Sequence, residues 1–380
     1  MPSEPQPSRL ARVGVVGGGQ LARMMGEVAH EVGVHLTVLA TSLEDAAVAS
    51  CDATVVGEAT DATALARLAG AVDVVTFDHE LVDLDLIADL ERRVAVRPNA
   101  AALAFAVDKA HQRRNLEAAG IAVPRYVIVE GAHDPALGAF LATLSGPPVV
   151  KAARGGYDGR GVLFPADATA TTTAIESIGG DVVVEERLDL RGELSQVLVR
   201  AVSGEVALYP LVRTLQREGM CVETVYPAPA EFADEAARLA TSIAELSGVV
   251  GILAVELFVT DRGLLVNEVA LRPHNTGHWT IEGAATSQFA NHLRAVSGQS
   301  LGSTAPLADA AVMVNVVGAS TPGSIAAASA VAGAHVHDYG KAWRAKRKLG
   351  HVTVIGPDVG AAHVTAWESA RAYGTGTREA

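Results

Sequence analysis

Residues 251–270, GILAVELFVTDRGLLVNEVA, constrain the fold more than any other stretch of the chain. Two apolar runs flank Asp261, Arg262 and Gly263, which reads as a hairpin closed by a three-residue loop whose last position takes a positive φ. Such a loop pairs Thr260 with Leu264 and, four residues further along each strand, Glu256 with Glu268. Directly opposed residues of an antiparallel pair have Cβ atoms ~4.5–5.5 Å apart, so two carboxylates there repel. A divalent cation between them removes the conflict, and hard oxygen ligands suit Mg²⁺. Asn267 adds a neutral oxygen on the adjacent face or strand edge. A shifted register that leaves one glutamate in solvent is the alternative, and pairing alone does not choose between them.

Upstream the chain alternates strand and helix. Arg12 to Val16 runs into GGGQ and a helix from about Leu21, and further strands follow at 35–40, 72–77 and 94–98. That rhythm means a parallel sheet with helices on both faces. We expect this Rossmann-like unit over residues 1–105. A helix with a charged face, DKAHQRRNLEAAG, comes next and ends at Gly120 with Pro124 beyond it. Then neighbouring strands dominate (RYVIVE, PPVVKAA, DVVVEERL, ELSQVLVRAV), so an α+β unit with antiparallel pairing is expected over 106–300, and a smaller C-terminal unit over 301–380.

Two glycine clusters invite a phosphate reading. KAARGGYDGRGV, from Lys151 to Val162, combines four glycines with Lys151, Tyr157, Asp158 and Arg160. Amides freed by glycine cradle phosphate oxygens, and a lysine adds charge. The stretch is not a P-loop as written, and a mobile surface hairpin is the other reading. GVVGGGQLA places Gly17, Gly19 and Ala22 in a G-x-G-x-x-A spacing after a strand, yet no acid follows the second strand before Glu44, as a dinucleotide site would want. A tight turn whose amides face a ligand phosphate or polar ring fits that cluster better. Near the C-terminus, GKAWRAKRKLGH gathers Lys341, Arg344, Lys346, Arg347 and Lys348. Such a run is usually a solvated face, but an anionic substrate between it and Arg272, His274 and Asn275 would explain both clusters.

Composition removes several classes. A net charge of −13 argues against duplex nucleic acid or an anionic membrane as the main partner, and aromatics are only 4%. Cys51 and Cys221 match no metal spacing, so two reduced thiols in a cytoplasmic chain are expected. The N-terminus has no secretory apolar run, and no stretch approaches a membrane span.

Together GGGQLARMM, KAARGGYDGRG, VVVEERLDLRGE, NEVALRPHNTGHWT and RKLGH resemble the 5-(carboxyamino)imidazole ribonucleotide synthases, ATP-grasp carbon–nitrogen ligases of purine synthesis, from about Val13 to about Ile355. The resemblance implies an ATP-grasp fold, α/β and α+β, with an N-terminal Rossmann-like domain, a lid over about 125–185 and a small C-terminal domain completing the substrate site. It also implies ATP- and bicarbonate-dependent carboxylation of the amine of 5-aminoimidazole ribonucleotide through carboxyphosphate. By position, Lys109, Lys151, Glu185, Glu186, Arg187, Leu188, Glu193, Gln216, Asn267 and Glu268 would bind ATP, with Gly156, Tyr157, Asp158, Gly159, Arg160, Gly161 and Val162 as the lid. Gln20, Glu80, Tyr157, Asp158, Lys341, Arg347 and Lys348 would bind the ribonucleotide. Arg272, His274 and Asn275 would stand at the chemistry, and Glu256 and Glu268 would hold Mg²⁺, with Mn²⁺ able to substitute. A homodimer, a mutase receiving the product, and neither nucleic acid nor membrane as partner are also implied. Several positions depart from the family's usual pattern: Ala22 for glycine, Asp78 and Leu81 in DHELV, Gln216 for histidine, and NEVALRPHN itself. The rival readings are another ATP-grasp ligase using formate or a different ribonucleotide amine, a nicotinamide-dependent oxidoreductase, and a non-catalytic nucleotide sensor.

Overall fold

The first layer is a parallel sheet of β1 (Ala11–Val16), β2 (Val34–Ala40), β3 (Ala53–Val56), β4 (Val74–Phe77) and β5 (Ala95–Val96), in the order β3-β2-β1-β4-β5. The computed structural model describes residues 10–156, 161–217 and 219–377. β3 escaped the sequence reading because it is a four-residue edge strand, partly exposed and without an apolar run. Helices Ala62–Ala71, Leu84–Glu91 and Ala100–Val107 cover one face, setting Leu65, Leu68, Ile87 and Leu103 against Val16, Leu39 and Phe77. The other face is closed by Gln20–Ala29 and by a helix from far along the chain, Gln288–Ser297, whose Phe289, Leu293 and Val296 pack with Val13, Val15 and Leu36.

A four-stranded antiparallel sheet spans the stretch expected as the lid: β6 (Tyr126–Val129), β7 (Val149–Ala152), β8 (Val162–Leu163) and β9 (Val182–Glu185), ordered β6-β9-β7-β8. Strand alternation divides its residues between two faces. Val150, Val182 and Val184 face the helices Pro135–Leu141 and Ala168–Ile178. Val183 turns instead toward Ala110 of the helix Lys109–Ala118, and Lys151 and Glu185 share that inner face.

The third layer is a nine-stranded antiparallel sheet of β10 (Gly192–Arg200), β11 (Val206–Leu208), β12 (Val212–Arg217), β13 (Met220–Tyr226), β14 (Gly251–Thr260), β15 (Gly263–Ala270), β16 (Ala310–Val317), β17 (Ala334–Asp338) and β18 (Lys348–Gly356). Its path runs β15-β14-β10-β12-β13-β16-β18-β17, with β11 on β10. The last three strands therefore continue the central sheet instead of forming a separate one. Ala233–Ser247 packs under β10 and β14 through Ala240 and Ile243, and Val359–Tyr373 packs under β16 and β18 through Ala366 and Trp367. Among the described residues no helix is long and apolar enough to cross a membrane.

Candidate active site

The hairpin β14–β15 delivers the opposed carboxylates by a different route from the one expected. The loop has two residues, not three: Thr260 pairs with Gly263, which takes φ 94°, and Val259 with Leu264. A β-bulge between Glu256 and Leu257 then leaves Asn267 unopposed and restores Glu256 opposite Glu268. A bulge re-aims side chains. Asn267 accordingly reaches the carboxylates, its Nδ2 donating to Glu256 Oε2 at 3.4 Å, while its Oδ1 accepts from Lys151 Nζ at 3.0 Å. The amide oxygen expected as a ligand is thus held by a lysine.

Around this pair the charges are strongly ordered. Lys109, first residue of its helix, bonds Glu268 Oε1 at 2.9 Å. One turn later Arg113, 1% exposed, donates to Glu185 Oε1 at 2.7 Å and to the Asn267 carbonyl at 2.6 Å. Lys151 completes the knot with Glu185 Oε2 at 2.7 Å. Burial opposes the charge on Glu185, but Arg113 and Lys151 outweigh it and hold the carboxyl down at about 2. Burial pushes Lys151 down, with Glu185 offsetting it. Both Glu185 oxygens are taken, so any adenine contact there falls to the backbone. Arg113 was missed in the sequence because its helix reads as a charged outer face. The one-turn spacing of Lys109 and Arg113 was the available signal.

The two opposed glutamates differ. Burial first, then Glu268 and Glu193, push Glu256 up to about 8. For Glu268 burial is outweighed by Lys109, Lys151 and His274, which hold it down at about 2. Its side chain is 45% exposed against 17% for Glu256. Nearby on β10, burial pushes Glu193 up to about 7. Among the described residues no three His, Cys, Asp or Glu cluster to hold a metal. Two carboxylates, one of them short of a counter-charge, still fit a hard cation that draws its other ligands from phosphate and water.

A second polar corner adjoins the first. Arg272 Nε donates to Glu80 Oε2 at 2.5 Å, and Lys341 Nζ donates to Gln20 Oε1 at 2.5 Å. His274 Nε2 lies 3.9 Å from Glu256 Oε1. Its Nδ1 lies 2.9 Å from the Thr276 hydroxyl and 3.4 Å from the Thr276 amide, which orients the ring with Nε2 toward the carboxylate pair. Glu80 Oε1 and both amide atoms of Asn275 are buried with no hydrogen-bond partner among the described residues, as expected of groups built for a polar ligand. Arg347 turns to the Ala342 carbonyl of its own loop at 3.1 Å, and Lys348 is buried at the start of β18. On the lid side, Glu186 is fixed by Arg125 and Arg262, Arg187 lies over the Phe164 ring at 5.6 Å, Leu188 is half-buried, and Gln216 sits at a bulge opposite Cys221. Gly156, Gly161 and Val162 border the segment holding Tyr157, Asp158, Gly159 and Arg160, which lie outside the described residues.

At the first glycine turn Gly19 N–H and Ala22 N–H donate to the two carboxylate oxygens of Asp78 at 2.9 and 2.8 Å. Cys51 and Cys221 are free, and burial pushes both thiols up to about 12.

Comparison with known proteins places this arrangement in the ATP-grasp class. The ATP-grasp domain matches residues 114–289, the ribonucleotide synthetase preATP-grasp domain residues 10–107, and the phosphoribosylaminoimidazole carboxylase C-terminal domain residues 311–365. An N5-carboxyaminoimidazole ribonucleotide synthase of Mycobacterium bovis is 48% identical over 363 residues, spanning 91% of this chain and 84% of the relative. The chain belongs to the N5-carboxyaminoimidazole ribonucleotide synthase family. Among solved structures, the Thermus thermophilus synthetase aligns with TM-score 0.87 at 36% identity, covering 97% of this chain and 100% of the other. An Aspergillus clavatus synthase in complex with ADP and 5-aminoimidazole ribonucleotide aligns with TM-score 0.87 at 27% identity, covering 96% and 99%.

Proposed function

We infer that this chain carries out the family's reaction, the ATP- and bicarbonate-dependent carboxylation of the amine of 5-aminoimidazole ribonucleotide in purine synthesis. The observation that carries the reading is the continuity of the two corners. His274 lies 3.9 Å from Glu256 and only two residues beyond Arg272, which bonds Glu80, so a phosphoryl donor at the carboxylate pair and an anionic ribonucleotide at the second corner can meet there.

Phosphoryl transfer needs positioning and charge neutralisation more than a nucleophilic side chain. Lys109 and Lys151 take the ATP phosphates, and Glu193 takes its ribose. Glu256 and Glu268 would hold Mg²⁺, which would supply neutralisation of phosphate charge. A bicarbonate oxygen attacks the γ-phosphorus, the bond to ADP breaks, and carboxyphosphate forms. The ribonucleotide amine then forms the N–C bond as phosphate departs with the electron pair of the broken C–O bond. Phosphate also takes the amine proton. Arg272 donates to the oxygens that gain charge, as a preorganised donor does, with His274 beside it. Lys341 and Arg347 bind the ribonucleotide's phosphate, and the glycine-rich lid keeps water from the labile intermediate. The product is itself a labile carbamate, which suits direct consumption by a mutase.

The test is ADP release with Mg²⁺-ATP and bicarbonate, with and without the ribonucleotide. Strong stimulation that disappears when bicarbonate is stripped is expected. Turnover indifferent to the ribonucleotide would turn the reading toward another amine or acid.

A further inference from the structure

The glycine turn at 17–20 contains an anion of its own. The helix Gln20–Ala29 begins at Gly19, which has no side chain to cap it. Its first amides instead reach Asp78, 59 residues away in sequence and 8% exposed, at the end of β4. A helix N-terminus attracts anions, because its free N–H groups and dipole point outward. The approach is close enough to dictate the sequence: a Cβ on Gly19 would lie 2.2 Å from Asp78 Oδ2.

Asp78 is the middle one of three polar groups that alternate along β4 and the turn after it. Thr76 Oγ1 lies 2.7 Å from His292 Nε2, and His292 Nδ1 accepts the Ile252 amide at 3.1 Å, so the imidazole donates to Thr76. Glu80 takes Arg272. Between them, Asp78 fixes the helix turn that carries Gln20, whose Oε1 receives Lys341. One strand end therefore sets both arms of the second corner.

We propose that Asp78 is a positioning residue for the ribonucleotide: its carboxylate stands where a bound phosphate would stand and holds Gln20, and through it Lys341, in register with Glu80 and Arg272. This rests on the functional reading above. Among the described residues Asp78 bonds no group of the nucleotide corner, which gives the inference its signature.

The experiment uses full-length Asp78→Ala, Asp78→Asn and Asp78→Glu, with ADP release titrated separately in ribonucleotide and in ATP. Losing a remote cap should raise the ribonucleotide KM by roughly tenfold in the Ala and Asn variants while the ATP KM stays within about twofold. Asp78→Glu keeps the carboxylate and should recover most of the loss. Formate should partly restore Asp78→Ala and raise its melting temperature without raising that of the wild type, because a free carboxylate can refill the gap over the amides. Asp78→Asn keeps the side-chain shape and serves if the alanine variant does not fold. An unchanged ribonucleotide KM in both neutral variants would overturn the proposal. So would an equal rise in both KM values that neither glutamate nor formate corrects. Failure of the functional reading is seen separately, as a wild-type enzyme without ribonucleotide-dependent turnover. In that case the positioning role falls with it.

Discussion

Two glycine-rich turns in this protein look alike as sequence and are opposites as structure. At 17–20 the glycines are there because something already touches them: a Cβ at Gly17 would meet His79 and one at Gly19 would meet Asp78. At the lid, Gly155 has φ 75° with nothing within 4 Å of an added Cβ, and Lys151 stands at the base of the segment. The first turn is closed on an internal carboxylate. The second leaves space at Gly155 and rises from Lys151, which pairs with Glu185. Glycine spacing reports close backbone approach, and the residue opposite decides whether the approached group is a ligand or the protein itself.

The largest effect should come from the open side. Glu268→Gln removes the charge that balances Lys109 and half of the proposed cation site, and should cut ATP turnover about a thousandfold with the circular dichroism spectrum unchanged. Normal turnover in a folded variant would end the metal assignment. Lys341→Ala should raise the ribonucleotide KM by about ten- to a hundredfold, and that of ATP far less. Equal shifts in steady-state titrations would place Lys341 elsewhere. The glycine contrast itself is tested by melting curves. Gly19→Ala forces a clash with Asp78 and should cost about 1–3 kcal/mol, whereas Gly155→Ala meets only its own left-handed backbone, about 1 kcal/mol. The reverse order would erase the distinction.

The smallest effect concerns pH. Glu256 and Glu193 are raised from 4.5 to about 8 and about 7, so the folded protein binds these protons more tightly than the unfolded chain. Stability in metal-free solution should then fall as pH rises through that window. Glu268 acts in the opposite sense only below 4.5. Mg²⁺ should accordingly raise the melting temperature by about 2–4 °C more at pH 8 than at pH 6. A gain independent of pH would remove Glu256 from the cation site.

Much of this was legible because it is local. The period of the first hundred residues gave a parallel sheet, and one hairpin gave Glu256 opposite Glu268. Even there two deviations cancelled: the turn is one residue shorter than expected, and the bulge at Asn267 returns the residue lost. What could not be read is non-local. Arg113 looks solvent-facing on its helix until the lid's Glu185 is placed over it, and Asp78 is a departure from a motif until it meets amides 59 and 56 residues away. An acid does stand at this turn, but it follows β4 and caps the amides, whereas the acid of a dinucleotide site follows the second strand and holds a ribose.

The helix Gln288–Ser297 carries a consequence for biosynthesis. It covers Val13, Val15 and Leu36 of the parallel sheet, yet is made long after them. At ribosomal speeds of about 5–20 residues per second, that face waits roughly 10–40 s for its cover. A nascent or truncated chain ending near residue 107 would keep Gln20–Ala29 on that face but leave uncovered the apolar surface that Phe289, Leu293 and Val296 pack against. Until the rest of the chain arrives the N-terminal layer carries an exposed apolar strip prone to aggregation, which makes it a poor choice for expression alone.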